Sequence, residues 1–471
     1  MNKKIDVKST IETARISLEK EKNLAPEFVH KIHNLIQAAQ MLLDQVSINS
    51  QNSSKPPSAD PNRKKPSRSK NDTNRKPGGQ LGHEGKQLKP VDNPDSIEAL
   101  LIDRRTLPAG KYTEGKPQAR QVIDFSVTVC VTEYRAQVLI DEYGNQYVAS
   151  FPQGVTRPIQ YGISIKANAV YMSQYQLIPY DRIKDHFFHQ MGLGVCTGSI
   201  FNFNREAYQL LSRFEERLKE KLIASAVINV DETGINIKGK KHWLHTACNE
   251  KWTHFYPHQK RGSEAMNAIG ILPRFQGVMC HDHWIPYYLY HCLHSLCNAH
   301  HIRELKWSAT EDNQQWAITL KDFLLDLNDQ VDAAGGMLPK QQWSEQEKHY
   351  LSILDAGEKE CPLAERKLKQ RGRVKQTKSR NLLDRLRKRK EDVLRFMTDV
   401  NIPFTNNRGE NDLRMTKVQQ KISGCFRSFE GALIFCRIRS YLLTCQKHGI
   451  NPTEALNILF RGKLPDFMNS S

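Results

Sequence analysis

The chain has 471 residues, 39% of them hydrophobic, enough for two or more domains and at least one real core. Sixty-nine Lys and Arg stand against fifty-one Asp and Glu, and the resulting charge of +18, with a pI near 9.4, favours a polyanionic partner, nucleic acid first. The start has no apolar secretion signal and no run approaches the roughly 20 apolar residues that span a bilayer, so a cytoplasmic protein is expected. Anionic membrane is a poor alternative partner, because it wants a basic amphipathic helix with an aromatic or leucine face, which the basic stretches lack. Ten scattered cysteines without a CxxC pair indicate neither a disulfide framework nor a Cys-rich zinc site.

In chain order, residues 1–50 form a helical, coiled-coil-like segment: apolar positions at helical spacing (Ile11, Ala14, Ile16, Leu18, then Val29, Ile32, Leu35, Ile36, Ala39, Leu42, Leu43, Val46) read as two amphipathic helices broken near Asn23 to Pro26. Residues 51–95 are rich in Pro, Ser, Gly and Asn and read as a disordered basic linker. Between Lys55 and Lys89 ten Lys or Arg face three acids, so Lys64, Lys65, Arg75 and Lys76 are candidate phosphate contacts. Residues 96–158 form a small β module, with a strand pair expected in the alternating, β-branched stretch from Val122 to Gln137. Residues 159–222 are helical. There SQYQLIPYDRIKDHFFHQMGLGVCTGSIFNFNREAYQLL has the order helix, Gly-containing turn, helix, compatible with DNA binding.

The stretch 223–307 is the most informative. AVINV is a short buried-type strand expected to end on Asp231, KHWLHTA and KWTHFYP are two strands joined by a CNE turn, SEAMNAIGI is a helix, and QGVMCH is a fourth strand ending on Asp282. Three antiparallel strands, a helix and a parallel strand is the ribonuclease-H-like order, in which the first and fourth strands are neighbours. Asp231 and Asp282 would then emerge side by side. Adjacent carboxylates raise one another's pKa, and a divalent cation resolves the conflict. Paired magnesium ions of this kind activate an attacking oxygen and steady a leaving one. Such chemistry wants a third acid. PFTNNRGENDLRMTKVQQKISGCFRS offers Glu410 at the start of a helix, with Arg408, Arg414 and Lys417 placed to meet phosphates.

Between Asp282 and Glu410 lie 127 residues, more than a minimal core needs, so a mainly helical insertion is expected over 308–395, with 396–425 returning to the core and 426–471 forming a helical C-terminal segment. The insertion carries a basic run, Arg366 to Lys390, in which thirteen Lys or Arg face one acid, Asp384. That ratio is too one-sided for pairing within the helix and suggests a phosphate-tracking surface, with Arg373, Lys375, Arg387 and Lys388 as contacts. His281, His283, His291, His294, Cys292, Cys297, His300 and His301 crowd the stretch around and after Asp282, but their spacing is irregular for zinc. His283 instead suits contact with phosphate or water, and Trp284 and Trp307 read as core or wall residues.

Several long motifs resemble the insertion-sequence-66 family of DDE transposases: NSSKPPS…RKPGGQLGHEGK, FPQGVTRPIQYG, VINVDETG, MCHDHWIPYY, CNAHHIREL, TNNRGENDLRMTKVQQKISGCFRS and IRSYLLTCQKHGINPTEAL, running from about residue 50 to 465. The resemblance implies that Asp231, Asp282 and Glu410 are the catalytic, metal-binding acids, that the cofactor is magnesium or manganese as two ions, and that the reaction is hydrolysis at transposon ends followed by strand transfer. It further implies a homo-oligomer on DNA, small accessory proteins of the same element, and residence at a bacterial nucleoid. The expected fold class is therefore α/β: a ribonuclease-H-like catalytic core with a large helical insertion and N-terminal helical and basic disordered segments. Family members often carry a Cys-rich module before FPQGV. Here LLIDRRTLPAGKY and VLIDEYGNQYVASFP lack cysteine, so structural zinc is not expected. The alternatives are a catalytically silent DNA-binding remnant and a metal-dependent phosphohydrolase built on the HDH motif, and the strand before Asp282 speaks against the latter.

Overall fold

The structure is a computed structural model that describes residues 7–20, most positions from 28 to 42, 88–364 and 374–468. Two compact units divide the chain, one formed by 1–63 with 134–471 and the other by 64–133. In the second unit, the described residues 88–133 contain a single 3-10 turn, Arg104–Thr106, and the side chain of Gln121 joins Val91 through both backbone groups, at 2.8 and 2.7 Å. The strand pair expected from Val122 to Gln137 is not there. It lies just beyond, as β1 (Val138–Ile140) and β2 (Gln146–Val148), paired antiparallel. The alternating segment leaves Val122, Phe125 and Val131 exposed, and alternation without a second layer to bury it does not hold a sheet. The hairpin is fixed instead by its turn, where Asp141 Oδ1 accepts from the amides of Tyr143 and Asn145.

In the first unit, α1 (Val7–Lys20) buries Ile11 and Leu18 against Ile36, with Val29, Ile32 and Ala39 alongside. The expected break at Asn23 to Pro26 lies outside the described residues. Helices α2 (Ile163–Val170), α3 (Tyr180–Met191), α4 (Thr197–Leu210) and α5 (Ser212–Ile223) follow. Gly192 ends α3 at φ 66°, where a side chain would be strained, so the expected helix, Gly turn, helix is present. Ile200, Phe203 and Ala207 of α4 are buried, leaving Asn202, Arg205 and Gln209 outside.

A five-stranded sheet comes next: β3 (Val227–Ile237), β4 (Lys240–Cys248), β5 (Thr253–His258), β6 (Val278–His281) and β7 (Leu293–Leu296), in the order β5-β4-β3-β6-β7. Helix α6 (Ser263–Ile269) makes the crossover. β3, β4 and β5 are antiparallel, while β6 joins β3 in parallel and β7 joins β6 in parallel. Asp231 does not end its strand. β3 continues six residues past it, because β4 pairs with it as far as Ile237 opposite Lys240, across a two-residue turn whose Lys238 and Gly239 both have positive φ, the geometry matched to strand twist. The parallel side stops earlier, at Asn229 opposite Cys280.

Alternation along β3 sorts the core. Ile228 and Val230 face one side with Met279, the helices α2 to α5 and two C-terminal helices, α13 (Phe429–Lys447) and α14 (Pro452–Phe460). Val278, Cys280 and Leu296 face the other side and are covered by α7 (Asn298–Glu311), which begins within the expected core stretch, and by the helices of the expected insertion, α8 (Gln315–Ala333), α9 (Lys340–Glu360), α10 (Lys378–Lys388) and α11 (Lys390–Leu394). Helix α12 (Asn407–Ser423) then crosses β3, and Phe426 beyond it pairs with Asn236 and Lys238. The edge strand β5 is covered by α13: Ser440 Oγ accepts from Phe255 N at 2.8 Å and Thr444 Oγ1 from Thr253 N at 3.2 Å. An edge with free amides is a site for unwanted pairing, and two hydroxyls close this one. Ser440→Ala and Thr444→Val should each destabilise by about 1–3 kcal/mol, the cost of a buried donor left without a partner. Urea unfolding checks this, and wild-type midpoints for both would refute the role.

Candidate active site

Three backbone elements bring the predicted acids together. Asp231 sits in β3 at the point where its parallel neighbour ends, and continuing the β3–β6 register by two positions sets Asp282 opposite it. By the same alternation both lie on the insertion side of the sheet. Glu410 stands in the first turn of α12, where the partial positive charge of a helix start favours a carboxylate. That turn is held against β3 by Asn406, whose side chain donates to Val230 O at 2.8 Å and accepts from Asn229 Nδ2 at 2.8 Å. Gly409 then lies so close that a Cβ on it would meet Asp231 Cβ at 3.4 Å.

Burial pushes Asp231 well above the usual carboxylate range, and the charges of Glu232, Asp282 and Glu410 push the same way. Asp282 is raised by burial, and Glu410 by burial and then the Asp282 charge. Glu410 Oε1 is sealed from solvent with no hydrogen-bond partner. Glu232, pointing to the other face, is a fourth acid that the sequence reading passed over. It is raised by burial and by Asp282, and it is held by Tyr287 Oη, which donates to it, and by Arg261 at 2.7 Å. Arg261 in turn lies over the rings of Trp284 and Trp243, 4.1 and 4.8 Å from their centroids. Asp282 Oδ1 accepts from Trp284 N at 3.0 Å. His283 between them holds φ 74°, an uncommon conformation for a side-chain-bearing residue and one that clusters at functional sites. Its ring meets Tyr288 Oη at 3.0 Å, and burial with Arg385 and Arg389 lowers its pKa to about 3.

A family model described as "Transposase IS66 family" matches residues 158–433 of the chain. The chain belongs to that family. A second model, described as a family of unknown function, matches residues 7–89. An uncharacterized protein of Sinorhizobium fredii, y4jO, is 36% identical over 70 residues, 15% of this chain. The chain spans only 22% of that relative's length. Among the described residues no helix is long and apolar enough to cross a membrane.

For the IS66-family chain, the basic residues nominated from sequence divide sharply. Lys64, Lys65, Arg75, Lys76 and Arg373 lie outside the described residues. Lys375, Lys388 and Arg414 are exposed. Arg408 reaches Glu250 at 3.0 Å, and Lys417 donates to Gly234 O at 2.8 Å. The one-sided run is more paired than its own composition suggested, because its acids come from other helices and from the i+4 position: Arg380 meets Asp384 at 2.7 Å, Arg387 meets Asp355 at 2.6 Å and Glu358 at 2.9 Å, and Arg385 and Lys390 meet Glu304 and Glu347. Arg303, on α7, was missed. It lowers the Glu410 pKa by its charge, and its only sequence signal was its place after CNAHH.

Two outcomes follow. Ionising Asp231 costs more in the fold than in the unfolded chain, so stability falls as pH climbs past its ordinary 3.8 toward the raised folded value. Without divalent cation, Asp231→Asn should therefore melt higher than wild type at neutral pH, at roughly 2–4 °C per kcal/mol recovered. Magnesium should raise the wild-type Tm more at about pH 8 than at about pH 5, and raise that of the variant little. Equal melting curves with and without chelator at every pH would count against a cation site. Separately, Lys388→Ala should make the salt dependence of DNA binding shallower by about 0.9 in log–log slope. Arg387→Ala should leave that slope alone and cost at most about 1 kcal/mol of stability, as filter binding and urea unfolding can determine.

Proposed function

We propose that the chain is a transposase that cleaves DNA at transposon ends and joins it to a target by cation-dependent phosphoryl transfer. The catalytic acids are Asp231, Asp282 and Glu410, carried on a ribonuclease-H-like core. The observation that carries this reading is the convergence of those three carboxylates from β3, from the residue after β6 and from the first turn of α12, although burial opposes the ionisation of all three and neighbouring carboxylates oppose that of Asp231 and Glu410.

The donor set fits hard divalent cations: carboxylate oxygens gathered where β6 ends beside β3, one of them buried and without a partner. Two magnesium or manganese ions bound there would supply activation of the attacking oxygen and stabilisation of the leaving one. Asp231 and Asp282, fixed by adjacent strands, set the spacing, and Glu410 closes the set from α12. Glu232 is already paired with Arg261 and accepts a hydrogen bond from Tyr287, so it shapes the wall rather than joining the set. Arg414, one turn beyond Glu410, and Arg303 offer guanidinium groups to phosphate oxygens. The strand order, the helix pair α3 and α4, and the surplus of basic charge support DNA as the partner, held as a homo-oligomer with accessory proteins of the element.

Purified protein given its element's end DNA and magnesium or manganese should nick it and transfer the strand. Asp231→Asn and Asp282→Asn should each lose on the order of a thousandfold in rate, a barrier change of ~4 kcal/mol, with DNA affinity nearly intact. Binding without nicking in all three proteins, accessory partners included, would favour the catalytically silent remnant.

A further inference from the structure

Cys297 stands at the N-terminus of α7 and His300 lies in its first turn, so both face the same end of that helix. Glu410, 110 positions after His300 in the chain, arrives from the first turn of α12. Among the described residues, the Cys297 sulfur, a His300 ring nitrogen and a Glu410 carboxylate oxygen all lie within 4.8 Å of one another. His300 Nδ1 and Glu410 Oε1 are both sealed from solvent and both lack a hydrogen-bond partner. They stand 3.9 Å apart, too far to satisfy each other. Buried polar atoms are nearly always paired, so two facing orphans beside a thiol need an explanation.

We infer that Cys297, His300 and Glu410 form a second cation site, of zinc type, that competes with the catalytic acids for Glu410. Sulfur, imidazole and carboxylate together suit a borderline-soft cation that takes three protein ligands and leaves a fourth position open. Magnesium takes oxygen alone and passes this set by. The site is reached along Glu410, whose side chain is 38% exposed. Binding displaces the Cys297 thiol proton to solvent as the sulfur–metal bond forms. The competitive half rests on the reading of Glu410 as a catalytic acid: a carboxylate turned toward Cys297 and His300 is withdrawn from Asp231 and Asp282, so zinc acts as an inhibitor.

Full-length protein is stripped with a chelator, dialysed against zinc and assayed for metal content. The expectation is one zinc per chain in wild type, with affinity lower by at least about tenfold in Cys297→Ser and in His300→Gln. Cobalt(II) in place of zinc should give wild type a thiolate charge-transfer band that Cys297→Ser lacks. Melting curves identify the folded variants, and His300→Gln reads the site should Cys297→Ser not fold. No zinc uptake, or equal uptake in wild type and both variants, overturns the site. In magnesium-supported nicking, added zinc should suppress wild type well before Cys297→Ser, and full nicking by zinc-saturated wild type overturns the competition. Zinc bound through Cys297 in a protein that never nicks DNA with magnesium alone leaves the site standing and sinks the catalytic reading instead.

Discussion

The structure depends on one junction, the seating of Asn406 on β3. Asn406 is the last residue before α12, a position where such a side chain ordinarily caps its own helix. Here it makes no cap bond. Its amide is committed to Val230 O and Asn229, and its backbone N–H goes to the Cys297 sulfur at 3.1 Å. Three segments distant in sequence are thereby tied at one buried point, and Gly409 brings the first turn of α12 close to Asp231. A Cβ at 409 would lie 3.4 Å from both Asn406 and Asp231, so the glycine sits at a close approach rather than at a hinge. Once this junction closes, the first turn of α12 holds the Glu410 backbone beside the two aspartates, and its side chain lies within reach of both them and Cys297 with His300.

That placement is costly, and the surrounding charges show how the cost is contained. Carboxylates clustered at low exposure raise one another's pKa. Arg261 and Tyr287 offset the fourth acid, Glu232, from the far face of the sheet, and Arg303 acts on Glu410. The remaining repulsion is left for a ligand to relieve. The insertion serves the same site. α7 carries His300, Arg303 and Glu304, and Glu304 is gripped by Arg385 of the insertion's α10, so the basic run braces the helix beside the acids before it can touch any external phosphate.

Much of this was legible in the sequence. The strand, hairpin, helix, strand order from Val227 to His281 follows from period-two patterning and a short turn, and the helix start at Glu410 from its polar first turn. What escaped were facts that depend on partners remote in the chain. Asp231 reads as a strand end because DETG looks like a turn, yet β4 pairs straight across it. The run ending at Lys390 reads as unpaired because its acids, Glu304, Glu347, Asp355 and Glu358, belong to other helices. The histidine-rich stretch after Asp282 has irregular spacing for a metal because the ligand nearest Cys297 and His300 comes from Glu410. The alternation before Gln137 misled for the converse reason: local pattern was present and no layer existed to bury it.

The histidines around the acids decide where the positive charge of this region comes from. Burial lowers His281 and His301 well below their ordinary value, and lowers His294 and His300 to about 4 and His283 to about 3, with nearby arginines adding to the effect. All five are therefore neutral at physiological pH, free to share hydrogen bonds or bind a cation but not to attract phosphate. Attraction falls to the arginines Arg303, Arg389 and Arg414. Proton uptake in this region then falls to the acids, whose burial raises their affinity for a proton.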